Sequence, residues 1–125
     1  MQPIRDASMC FDQMAIVEKF ERVEDYLYPI MQSIPNKHGR AKVKALDTLL
    51  NQPELFYIAG KSNQISKIYD ADRGLAVLRR WMRFMFKHRM LSQKQLETSQ
   101  ALVAEVGAML NAWIKRHKGI GQIGK

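Results

Sequence analysis

Ile16, Phe20, Val23, Leu27, Ile30 and Ile34 step along the chain by 4, 3, 4, 3 and 4 positions. That alternation stacks all six side chains on one side of an α-helix, whereas a strand would scatter them over both faces. The spacing predicts a first helix over 7–34, capped by Asp6 or Ser8 and bent where Pro29 removes an amide donor. "SIPNKHG" reads as a connector, with Pro35 suited to the first turn of the next helix. That second helix is expected over 36–59, with Val43, Leu46, Leu50 and Phe56 inward, a second bend at Pro53 and Gly60 as its C-terminal cap. Ser62 opens a third helix, about 62–89. Ser92 followed by Gln95 is a capping box for a fourth, which turns Leu96, Val103, Val106, Leu110 and Ile114 inward and runs to about His117. No segment shows the alternation or hairpin turns of strands. The expectation is one all-α domain, an antiparallel up-down four-helix bundle over 1–118, followed by a flexible, glycine-rich basic tail at 119–125.

The third segment carries the strongest functional signal. In "LAVLRRWMRFMFKHR" (Leu75 to Arg89), Leu75, Leu78, Met82, Met85 and Phe86 share a helical sector of about 100°. Arg73, Arg79, Arg80, Arg83 and Lys87 share the adjoining sector of about 120°, interrupted by nothing larger than Ala76. Only Arg89 falls on the apolar side, near the helix end, where a cation complements the carbonyls. Solvated helix faces usually mix signs, and this one has no acid after Asp72. The apolar sector also reaches through Trp81 and Val77 to Phe84, around 200° in all, which is wider than a bundle helix hides. Trp81 and Phe84 are therefore candidates for a subunit interface, with a covered bundle edge as the equal alternative. On the fourth helix Ala101, Ala104, Ala108 and Ala112 form a smooth strip opposite the core.

Charge places the signal in context. The chain of 125 residues has a net charge of +8, a balance that points to a polyanionic partner. Residues 1–35 are net −3, and the segments 36–61, 62–91 and 92–125 are +3, +5 and +3, so one segment is acidic and three are basic, a division that favours docking between chains or partners. Cys10 is alone, at helical spacing from Met14 and Val17, and reads as core filler in a reducing compartment. With no apolar run approaching the ~20 residues of a membrane span and no leader-like start, the reading is a cytoplasmic protein.

A catalytic constellation is harder to find. His38, His88 and His117 are too far apart for a helical metal site, and Glu18, Glu21 and Glu24 lack the Glu-x-x-His of a di-iron bundle. "AGKSNQ" lacks the first glycine and the strand of a phosphate loop, so Lys61 offers at most a modest contact at a helix start. The expectation is no catalysis, no cofactor and no metal.

Three stretches together carry a resemblance: "YLYPIMQSIPNKHG" (Tyr26–Gly39), "ELFYIAGKSNQISKIYDADRGLAVLRRWMRF" (Glu54–Phe84) and "AEVGAMLNAWI" (Ala104–Ile114). They closely resemble the Avd family, the accessory variability determinants of diversity-generating retroelements in phages and bacteria. The similarity runs from about Ile4 to the terminal "GQIGK", is most specific from Gly60 to Phe84, and is weakest at "KHRMLSQKQ". Avd in turn belongs with a broader group of four-helix bundles that includes proteins encoded within intervening sequences of 23S ribosomal RNA genes. The resemblance implies a homopentameric barrel without catalysis, which binds the element's reverse transcriptase and nucleic acid to support mutagenic cDNA synthesis from a template-repeat RNA. It places the basic role on Arg79 and Arg83; Arg80, Lys87 and Arg73 are nucleic-acid candidates from the one-sign sector alone. A stand-alone structural RNA-binding bundle of the intervening-sequence type is the alternative, and an adaptor for acidic proteins is a third reading. With no aromatic ring inside the basic sector, base stacking and sequence preference are not expected.

Overall fold

The computed structural model describes residues 7–62 and 64–123, with side chains described for 15–62 and 64–118. Among these residues there are four α-helices and no strand: α1 (Ala7–Gln32), α2 (Gly39–Ser62), α3 (Ile65–Lys87) and α4 (Gln93–Ile123), with a 3-10 turn at Asn36–His38. Each helix packs on its sequence neighbours, and α1 closes the square against α4. Pairings across the helices fix their directions as antiparallel. Lys42 Nζ donates to the carbonyls of Gln32 and Ile34 (2.8 and 3.1 Å), Gln52 Nε2 donates to Ala71 O (2.8 Å), and Lys19 meets Glu105 at 3.1 Å.

The first helix follows its spacing. Ile16, Phe20, Val23, Leu27 and Ile34 are buried, Ile30 packs at the margin, and Met31 joins the core. Phe20 meets Phe56 of α2 edge-on, with ring centroids 5.9 Å apart. Pro29 and Pro53 both lie inside their helices, and neither ends one. The expected caps at Asp6 and Ser8 and the environment of Cys10 fall outside the described side chains.

The second helix departs from expectation. Val43 and Leu50 are 55% and 48% exposed, and the side chains that face inward are Ala45, Leu49, Gln52, Phe56 and Ala59. Large apolar residues stand on two faces of α2, and the core takes the face whose small residues let α3 approach. The contact at Gly74 shows how close that approach is. A Cβ there would collide with Gln52 Oε1 and lie 2.7 Å from Leu55 Cδ1.

The helix junction at 60–65 also differs. Gly60 is helical, α2 continues to Ser62, and α3 starts after Gln64. Ser62 closes α2 by donating to Ala59 O and accepts the Gln64 amide, so it does not open α3. Lys61 accordingly sits at a helix C-terminus, where its charge complements the free carbonyls. At the far end α3 stops at Lys87 and Arg89 takes the left-handed conformation (φ 65). Met90 N donates to Met85 O and Arg89 N to Phe86 O, the paired bonds of a Schellman turn. The capping box at α4 forms as spaced: Gln95 N donates to Ser92 Oγ (3.0 Å) and Ser92 N to Gln95 Oε1 (2.9 Å). Val103, Val106, Leu110, Trp113 and Ile114 are buried, and the alanine strip is exposed. The backbone of α4 continues beyond His117 to Ile123, so most of the expected tail is helical; Gly124 and Lys125 lie outside the described residues.

Candidate nucleic-acid interface

Leu75, Leu78, Met82 and Met85 are fully buried, which pins the rotation of α3 and turns its cations outward. The structure then divides those cations into groups that the helix alone does not separate.

Arg79 lies on the side of α3 that meets α4. It is half-buried, with its guanidinium laid across Gly107; a Cβ at that position would stand 2.6 Å from Arg79 Nη2. Gly107 is buried in the middle of α4, and its missing side chain makes the bed on which the arginine rests. A glycine inside a helical pattern, with no turn to explain it, was the available sequence signal for this contact. Arg83 and Lys87 follow one and two turns later and are exposed.

Across the groove, α4 presents exposed Ala104 and Ala108, too short to screen the cations from a ligand. The carboxylates of α4 are engaged elsewhere. Glu105 pairs with Lys19 of α1, and Glu97 accepts from Gln93 Nε2 at 3.2 Å. Among the described residues no carboxylate pairs with Arg79, Arg80, Arg83 or Lys87. Toward the other end of the groove, Lys118 of α4 sits over the ring of Tyr69 at 5.5 Å.

Arg73 and Arg80 lie farther around the same polar face of α3, and both are exposed. Arg73 is ion-paired with Asp70 one turn earlier, so its charge is largely answered within the helix. Arg80 lies over the Trp81 ring, 5.6 Å from its centroid. Trp81 and Phe84, the expected interface residues, are half-buried and meet edge-on at 5.3 Å, and Phe84 continues onto the His88 ring at 4.3 Å. Val77 beside them is 46% exposed.

A second apolar surface was not singled out in the sequence. Tyr28 of α1 and Val43, Leu50, Tyr57 and Ile58 of α2 are all more than two-fifths exposed. Glu24, Asp25, Tyr28, Pro29 and Leu50 line a shallow groove between the two helices. Partial burial raises the Glu24 carboxyl above its ordinary value, and repulsion from Glu21 and Asp25 adds to the shift. The molecule therefore has an acidic, apolar flank on α1 and α2 and a basic groove between α3 and α4.

Among the described residues no group of three or more His, Cys, Asp or Glu side chains could hold a metal ion, and no helix is long and apolar enough to cross a membrane. No curated protein matches the chain. Residues 14–117, which include every α3 cation, match the family model described as bAvd-like.

Proposed function

The chain belongs to the bAvd-like family, accessory proteins of diversity-generating retroelements, and from that premise we propose that it holds nucleic acid in the α3–α4 groove while docked on the element's reverse transcriptase. The observation that carries this reading is the row Arg79, Arg83 and Lys87, set one turn apart and unpaired among the described residues beside a strip of alanines. Like charges so placed repel one another, and phosphates relieve that repulsion. The groove suits the phosphate backbone of a template RNA or its cDNA, with little sequence preference. The protein's part is to position, and the chemistry is the polymerase's.

The assembly we propose is a homopentameric barrel. Two exposed apolar surfaces support it: Tyr28, Val43, Leu50 and Tyr57 on one flank, and Val77 with Trp81 and Phe84 on the other. Their borders carry opposite charge, Glu24 and Asp25 on the first and Arg80 on the second. Different surfaces that meet head-to-tail close into a ring when the rotation between neighbours is a whole fraction of a turn, and the pentamer proposed is that closed case. Repetition of the basic groove around that ring turns weak contacts into strong ones.

Charge reversal of Arg79 and Arg83 together tests the proposal. Both residues lie outside the packed core, so the double variant folds, and RNA binding and reverse-transcriptase-dependent cDNA yield both fall. Unchanged binding and yield in a folded protein would remove the groove from the mechanism. Capture of the retroelement's polymerase by the wild-type chain separates this reading from a stand-alone structural RNA-binding bundle, which has no such partner.

A further inference from the structure

Phe86 belongs by periodicity to the buried face of α3, yet its ring is 40% exposed. It lies where the bundle ends, in a groove formed by the last turn of α3 and the first of α4 and lined also by Lys87, Arg89, Ser92, Gln93 and Gln95. Two features fix the walls. The Schellman bonds hold Arg89 in its left-handed conformation, which keeps this cationic residue on the wall of the groove that Phe86 also lines. The capping box uses the Oε1 of Gln95 on the Ser92 amide, which leaves the Nε2 of this groove-lining residue as an uncommitted donor. Glu97, the nearby carboxylate, is hydrogen-bonded by Gln93.

A groove lined by an exposed ring, cations and a donor amide has the chemistry of a single-stranded nucleotide site. The base stacks on the ring, a phosphate meets a cation, and the amide reaches the base edge. We propose that this groove is a stacking site for one base of single-stranded RNA or DNA whose phosphates run along Arg83 and Lys87. The proposal rests on the reading of the α3–α4 groove as a nucleic-acid surface, and adds to it a preference for unpaired strands. In a duplex both base faces are already covered, so Phe86 has nothing to stack on.

The test uses the full chain, a short single-stranded RNA carrying the fluorescent base 2-aminopurine, and the same sequence as a duplex. With wild type, the single strand binds more tightly than the duplex and the fluorescence is quenched by stacking. Phe86→Ala is expected to bind the single strand about tenfold more weakly, the loss of one stacked base. Its duplex affinity and salt dependence stay as in wild type. Phe86→Leu keeps the apolar volume without the aromatic face and is expected to lose the quench as well. Arg89→Gly suits the left-handed backbone and removes the cation, so it weakens single-strand binding while the protein melts no lower than wild type. Wild-type affinity and quench in folded Phe86→Ala, or in Phe86→Leu, would overturn the stacking site and leave the phosphate row standing. A wild-type protein that binds neither strand nor duplex would overturn the broader reading, and the site with it.

Discussion

Two internal glycines show how the same residue type is used in opposite ways. At Gly74 the neighbours of a new methyl group are Gln52 and Leu55, and Gln52 is held in place by its buried bond to Ala71 O. Gln52 Oε1 has no hydrogen-bond partner and is enclosed at this contact, so it has nowhere to move. Gly74→Ala should therefore cost about 1–3 kcal/mol in denaturant unfolding, the usual range for overpacking. At Gly107 the only close neighbour is the far end of the Arg79 side chain. Gly107→Ala should leave stability unchanged or raise it by up to about 1 kcal/mol through helix propensity, with Arg79 lifted off α4. Glu24 makes a prediction in pH. Its carboxyl is raised above the ordinary 4.5, so the folded state disfavours its charge, and that penalty is present at neutral pH and vanishes once the group is protonated. Glu24→Gln should be more stable than wild type at pH 7, with the gap closing as the pH falls through the carboxylate range. Thermal melts across that range check it.

At the scale of the helix, α3 was the most legible element and α2 the least. The buried and polar sectors of α3 are each continuous, so one rotation satisfies both. Phe86 is the exception, because α3 outruns the core that would cover it. In α2 Val43 and Leu50 compete with Ala45, Leu49, Gln52 and Ala59 for the inward side; Leu46 and Phe56 do pack inward, but apolar bulk alone chooses wrongly for Val43 and Leu50. Division of the α3 cations changes what binding should look like. Five independent phosphate contacts on single strands would give a slope of log K against log[salt] near −3.5. With Arg73 paired to Asp70 and Arg80 laid over Trp81, three of the five remain, and the slope expected from the row Arg79, Arg83 and Lys87 alone is about −2. Titrations at several salt concentrations distinguish the two. The pairing of Arg73 with Asp70 spans three positions, a spacing that sets the two side chains together on a helix and is legible in the sequence.

For the whole molecule, the arrangement of surfaces bears on assembly. The α1–α2 flank has large apolar side chains bordered by carboxylates, and the α3 edge has apolar side chains bordered by arginine. In the proposed pentamer these meet between neighbours. Leu50→Glu and Val77→Glu, both at exposed positions that the fold tolerates, should each convert the assembly to monomers in a mass measurement in solution, with helical content retained. If both variants remain assembled, those flanks are not the contacts.

Helix number, most of the core, the capping box at Ser92 and the single sign of the α3 face were all set by the sequence itself. Each depends on spacings of three or four residues, which a helix converts directly into neighbours. Which of two apolar faces α2 buries, the bed that Gly107 makes for Arg79, and the exposure of Phe86 at the end of the bundle were decided only by tertiary packing. Those outcomes depend on how closely a second helix can approach and where the bundle ends, which the spacing within any one helix does not contain.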